Sequence, residues 1–245
     1  MADEYDRSIN WIRSRITRAK TIRKKVSPGG LVIVADATFF GKIYGFIVFR
    51  SPKLQKNLYF NWIPYETIMD YRLGRSAVEA RGIIISAVVL DGRPGVRSVF
   101  SDVPTQMCHF HQKQIIQRYL TLNPKLPASI ELKEVAATLC NTTEEKFSKR
   151  LNNWHNKWRY FLKERTTNPI TKRWCYTHKR VRSAYRSLNI NLPYLFTYQK
   201  YPELKIPNTT NSLDGSFNHL KELVRVHRGF TPQLKKKIIE KILDN

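Results

Sequence analysis

Two short stretches govern what this chain can fold into. "LVIVAD", Leu31 to Asp36, and "IIISAVVLD", Ile83 to Asp91, are apolar, largely β-branched runs, each closed by an aspartate. A strand with one wet face alternates polar and apolar residues, whereas a run this continuous is expected of a strand covered on both faces. Such strands need a sheet with further layers packed on it. "YGFIVFR", Tyr44 to Arg50, and "NLYFNWIPY", Asn57 to Tyr65, follow the first run after short connections, the spacing of an antiparallel meander. "ETIMDYRLGRSAVEARG" then reads as a helix in spite of Gly74. "QMCHF" reads as a short last strand holding Cys108, with a helix from about His111. The expected class is α/β.

The flanks read differently. "RSINWIRSRITRAKTIRKK" sets Ile9, Ile12, Ile16 and Ile22 near helical spacing among Arg and Lys, a basic amphipathic helix that "SPGG" stops. From about Ala128 to Ser187 the pattern is helical, and Leu151, Trp154, Trp158 and Phe161 fall on one face, as a helix core does. Bases stacked on those aromatics are the sharper alternative. "LNINLPYLF" through "KYPELKIPNTTNS" is Pro-rich and reads as loop, after which Ser212 opens a helix containing Asp214. The expected segments are a basic helical stretch (1–30), a first core part (31–118), a helical insertion (119–205) and a second core part (206–245).

Charge narrows the partner. Forty-three Lys and Arg against nineteen Asp and Glu give a net +24. That excess suits a polyanion, with nucleic acid ahead of an anionic membrane surface. No apolar run is long enough to span a bilayer, and "MADEYDRSIN" has no signal-peptide core, so no membrane partner is expected. Three cysteines, Cys108, Cys140 and Cys175, make neither a disulfide framework nor a CxxC pair; a reducing, cytoplasmic setting is expected.

In such a basic chain, the carboxylates stand out. Taken singly, Asp36 and Asp91 are strand-end residues in water, and Asp214 is an acid favoured by a helix N-terminus. Taken together, Asp36 and Asp91 would project at one sheet edge if their strands are neighbours, with Asp214 as a third oxygen donor. Converging carboxylates repel unless a cation lies between them, and oxygen-only ligands suit Mg²⁺ or Mn²⁺. Two such ions activate a nucleophile and stabilise the leaving oxygen of a phosphodiester. The basic surround would then hold the phosphate backbone.

"VIVADATFFGKIYGFIVF", "SAVVLDGRPGVRSVF", "PTQMCHFHQKQIIQRYLT" and "PNTTNSLDGSFNHLKELVRVHRGF" together resemble the transposases of bacterial insertion sequences in the Mutator-like superfamily. The resemblance runs from about Leu31 to Phe230. It implies a ribonuclease H-like mixed sheet with flanking helices, interrupted by an all-helical insertion. It further implies a DDE-type site, with Asp36, Asp91 and Asp214 as catalytic metal ligands for two Mg²⁺ ions and Mn²⁺ as a substitute. The implied reaction is strand cleavage and 3′-end joining on double-stranded DNA, element ends and target alike. A homodimer or higher oligomer on DNA and a nucleoid-associated, cytoplasmic location in a bacterium go with it.

The chain departs from the pattern in two places. The family's third acid is normally Glu, in a motif like "TTNSLEG"; here it is Asp214, whose oxygens reach about 1–1.5 Å less far. Glu222, about 12 Å along the same helix, is too far to replace it. Relatives usually carry an N-terminal recognition module, often a zinc ribbon or helix-turn-helix, and none is expected in the stretch before Leu31. Two alternatives follow: a catalytically impaired DNA-binding remnant, or a nuclease of the same fold. Cys108 and His111 match the family's CxxH signature near the active site. Arg225, His227 and Arg228 are the candidate DNA-phosphate contacts, because they follow Asp214 on one element.

Overall fold

The computed structural model describes residues 8–18, 29–41, 44–226 and 229–244. The chain divides into two compact units, Met1–Ser86 with Asn211–Asn245, and Ala87–Thr210. A five-stranded mixed sheet takes the order β3-β2-β1-β4-β5, from β1 (Gly29–Phe40), β2 (Tyr44–Ser51), β3 (Lys56–Ile63), β4 (Ile83–Leu90) and β5 (Thr105–Met107). The expected meander is present, with β1/β2 and β2/β3 antiparallel. β4 and β5 are parallel. The unit boundary falls inside β4, between Ser86 and Ala87.

The first unit also holds α1 (Ile9–Arg18), α2 (Ile68–Glu79) and, from the far end of the sequence, α8 (Asn211–Val226) and α9 (Pro232–Leu243). α2 starts on a capping box: the Thr67 hydroxyl accepts from Asp70 N and the Asp70 carboxylate from Thr67 N, satisfying two otherwise orphan donors. α8 lays Leu213, Phe217 and Leu220 inward at helical spacing, and the Phe217 ring meets Phe46 of β2 edge-on at 5.8 Å. α9 is tied to β3 by Trp62 Nε1 donating to Glu240 (2.8 Å) and Asn57 Nδ2 donating to the Leu243 carbonyl (2.8 Å).

Gly74 lies in the middle of α2 because nothing larger fits. A Cβ there would come within 2.3 Å of the buried Phe49 ring. Gly74→Ala gains helix propensity but overpacks the sheet, and the second effect is the larger: a net loss of about 1–3 kcal/mol is expected in urea unfolding. An unchanged or raised midpoint would show that α2 can lift off Phe49.

The second unit contains α3 (His109–Leu120), α4 (Pro127–Ala137), α5 (Glu144–Trp158), α6 (Lys179–Leu195) and α7 (Thr197–Lys200). Its core includes Leu132, Phe147, Leu151, Trp154, Leu188 and Phe196. The aromatic stripe of α5 is built into that core: Trp154 is buried and Trp158 and Phe161 pack against it. The indoles donate to the Ala128 carbonyl (3.0 Å) and the Glu131 carboxylate (2.8 Å).

Three expectations are corrected. β1 continues to Phe40, so Asp36 lies inside the strand, opposite Val48 of β2, rather than at its end. The β-forming "TFF" stretch (38–40) and its ladder with β2 carry the strand on. The "LNINLPYLF" stretch is helical to Leu195 with Pro193 inside α6, because burial of Leu188, Asn191 and Leu195 along one face outweighs one lost backbone bond near the helix end. The insertion is not all-helical: β6 (Arg165–Thr167) and β7 (Trp174–Tyr176) form an antiparallel hairpin within it.

Candidate functional site

The candidate acids fall in both units. In the first, Asp36 is buried, and its Oδ1 accepts from Ala37 N at 2.8 Å. Nearly all strand carboxylates face water, so a buried one in a central strand is a costly placement that calls for partners. Asp214 lies in the first turn of α8, one residue after the buried Leu213.

In the second unit, Asp91 directly follows β4, as expected. The chain turns away through Gly92, at φ +88°, where a Cβ would strike Met107 Sδ at 2.3 Å. Only glycine allows that exit. The turn is held by Arg93 N donating to Asp91 Oδ1 at 2.9 Å. Cys108 is not in a strand but at the N-cap of α3, where its N–H donates to the Leu90 carbonyl at 2.8 Å. That bond sets the start of α3 beside the end of β4.

A cleft of about 660 Å³ results, lined by Asp91, Arg93, His111, Gln114, Gln117 and Arg118 among others. His111, Gln114, Ile115 and Arg118 recur at helical spacing and present one face of α3 to the 91–94 turn. One acid, two guanidinium groups, an imidazole and two amides in one open cleft make an anion-binding surface with a single carboxylate at its edge. The structure thus brings His111 to Asp91.

It gives Cys108 a structural part. The thiol is buried, lies 3.3 Å from Thr210 Oγ1 and accepts from Thr210 N at the same distance. His109, its neighbour, is buried with Nε2 donating to the Leu195 carbonyl at 2.6 Å, while Nδ1 has no hydrogen-bond partner. Burial holds its pKa below the usual imidazole value, with the Leu195 bond opposing and nearby Lys113 adding. Through the Leu195 bond, His109 ties the start of α3 to the end of α6.

Arg97, unmarked in the sequence, also belongs to this region. Its guanidinium donates to Asn191 Oδ1 at 2.5 Å and lies 4.2 Å from the Tyr194 ring centroid. Burial lowers its pKa; Tyr194 and Asp91 pull it back up. Asn191 in turn donates to Gln112 Oε1 (2.6 Å), and Gln112 to Ser187 Oγ (3.2 Å). This network joins α3 to α6 and keeps a fixed cation in the field of Asp91. No local signal marks it, since Arg97 and Asn191 are 94 positions apart.

Arg225, near the end of α8, is exposed and forks onto Glu222 (2.9 and 2.5 Å). That pairing raises its pKa and lowers that of Glu222. An exposed pair like this is loosely held and exchangeable for phosphate. His227 and Arg228 lie outside the described residues.

Among the described residues, no group of three or more His, Cys, Asp or Glu side chains is placed to hold a metal ion. No helix among them is long and apolar enough to cross a membrane. No protein-family model matches the chain, and no curated protein matches it.

Proposed function

We propose that the chain is a DDE-type transposase core of the Mutator-like insertion-sequence kind, built on a ribonuclease H-like fold, that cleaves DNA and joins 3′ ends. The observation that carries the reading is the strand order. Because β4 takes its place next to β1, the two acid-closed runs occupy neighbouring central strands of a mixed sheet flanked by helices. An antiparallel β1-β2-β3 meander followed by a parallel β4/β5 pair is compatible with a ribonuclease H-like sheet.

The donor set fits the implied metal. Asp36 is a buried carboxylate and Asp91 a half-buried one, both oxygen-only donors of the type Mg²⁺ and Mn²⁺ prefer. Asp214 supplies the third acid. Divalent ions held by such carboxylates would activate the attacking oxygen and neutralise charge on the leaving one. The chain's own residues do the rest. Arg93 and Arg118 hold phosphates at the Asp91 cleft, His111 contacts the backbone beside the cut, and Arg97 fixes the local field. Arg225, His227 and Arg228 are further contacts for DNA phosphates. A basic surface carrying +24 draws in duplex DNA, and the active form is a dimer or larger assembly on it.

The test is purified chain with supercoiled plasmid and with pre-cut duplex ends, in Mg²⁺, in Mn²⁺ and in EDTA. Metal-dependent nicking plus joining of the pre-cut ends is expected. Nicking without joining would reassign the protein as a nuclease, and DNA binding without either would make it a non-catalytic remnant.

A further inference from the structure

The second unit has another cleft, of about 470 Å³, lined by residues from α5, α6 and the segment between them. Five of its lining residues are cations: Arg159, Lys163, Lys179, Arg182 and Arg186. No carboxylate is among the lining residues. Glu164, next in sequence to Lys163, takes His178 Nε2 at 2.8 Å. Arg182 is fixed in place, with Nη1 donating to the Leu162 carbonyl at 2.6 Å and its guanidinium 3.5 Å from the Tyr176 ring centroid.

Cations gathered in one concave surface without acids repel one another, and a bound anion relieves that cost. Guanidinium forks match phosphate oxygens two at a time. Along α6, the lining runs from Lys179 through Arg182 and Arg186 to Asn189, about 15 Å of helix at 1.5 Å per residue. That length covers several phosphates of one strand at about 3.4 Å of rise each, and is too long for a single phosphate group. A lipid surface fits less well. An interfacial helix needs a free apolar face to insert, and α6 has spent its own on the core through Val181, Ala184, Leu188 and Leu195.

We propose that this cleft is a second DNA-binding site, which holds the sugar–phosphate backbone of duplex DNA and shares no lining residue with the Asp91 cleft. The proposal deepens the transposase reading and rests on it for the identity of the polyanion. With no carboxylate in its lining, the site works without metal, by electrostatics alone.

The experiment is fluorescence anisotropy with a labelled 30-base-pair duplex in EDTA, over a series of salt concentrations. The cleft triple variant Lys163→Gln, Lys179→Gln, Arg186→Gln is compared with a control of equal charge, Lys125→Gln, Lys146→Gln, Lys149→Gln, and with Arg186→Gln alone. All six positions are exposed, and circular dichroism melts check that each protein is folded. The cleft triple is expected to weaken binding at least about tenfold at moderate salt and to flatten the slope of log affinity against log salt by about 2.7, three contacts at 0.9 each. The control should leave the slope nearly unchanged, and Arg186→Gln should flatten it by about 0.9. Equal losses in both triples would overturn the cleft while leaving the DNA reading intact. A wild-type protein that does not bind duplex would overturn both. Intact binding with no metal-dependent cleavage would overturn the catalytic reading alone.

Discussion

Asp36→Asn and Asp91→Asn are each expected to cut metal-dependent strand cleavage at least about a thousandfold, or about 4 kcal/mol of transition-state stabilisation. Asparagine keeps the shape and one acceptor oxygen. Asp36 Oδ1 needs that oxygen for Ala37 N, and Asp91 Oδ1 for Arg93 N. What asparagine removes is the negative charge, and a divalent ion held by carboxylates depends on it. Asp36 is buried in a strand, where asparagine keeps the side-chain shape and the acceptor for Ala37 N, so the fold should survive the change. Asp91 stands at the mouth of an open cleft beside Arg97, so its neutralisation should lower the melting temperature slightly by loosening a favourable field. Single-turnover cleavage and thermal melts on the same preparations decide. Full activity in either variant would remove that residue from the site.

Asp214→Glu is the second large effect. The family resemblance puts glutamate here, and the first turn of α8 fixes the backbone from which the side chain starts. With the backbone fixed, reach is set by chain length, and aspartate falls about 1–1.5 Å short of glutamate. Near-attack geometry is sensitive on that scale. A roughly hundredfold rise in cleavage, about 2.7 kcal/mol, is therefore expected from Asp214→Glu in Mg²⁺. The gain should be smaller in Mn²⁺, because Mg²⁺ demands near-ideal octahedral coordination. If wild type is already fast in Mg²⁺ and the variant slower, Asp214 is an adapted ligand. If both are inactive, a different part of the machinery is limiting.

Local pattern carried much of the way. The continuous apolar runs at Leu31 and Ile83, the short connections of the three-strand meander and the Ser212 helix are all patterns of adjacent residues, which backbone geometry imposes within a few neighbours. The +24 charge likewise depends only on composition, and with it the expectation of a polyanionic partner. The aspartate that closes each run was visible for the same reason, although the length of β1 past Asp36 was not, because pairing with β2 decides where a strand stops.

Tertiary structure decided the rest. Nothing local says that β4 lies beside β1 rather than β3, and that order makes the acid-bearing strands neighbours. Gly74 reads as a flaw in a helix until the Phe49 ring beneath it is seen. Pro193 reads as a break until Leu188 and Leu195 are found buried on either side of it. Arg97, Gln112 and Asn191 look like three unrelated surface residues; only folding across 94 positions makes them one network facing Asp91. The physical reason is common to all four. Backbone dihedrals and side-chain period are properties of adjacent residues, whereas burial, charge pairing and close packing depend on which distant residues the fold brings into contact.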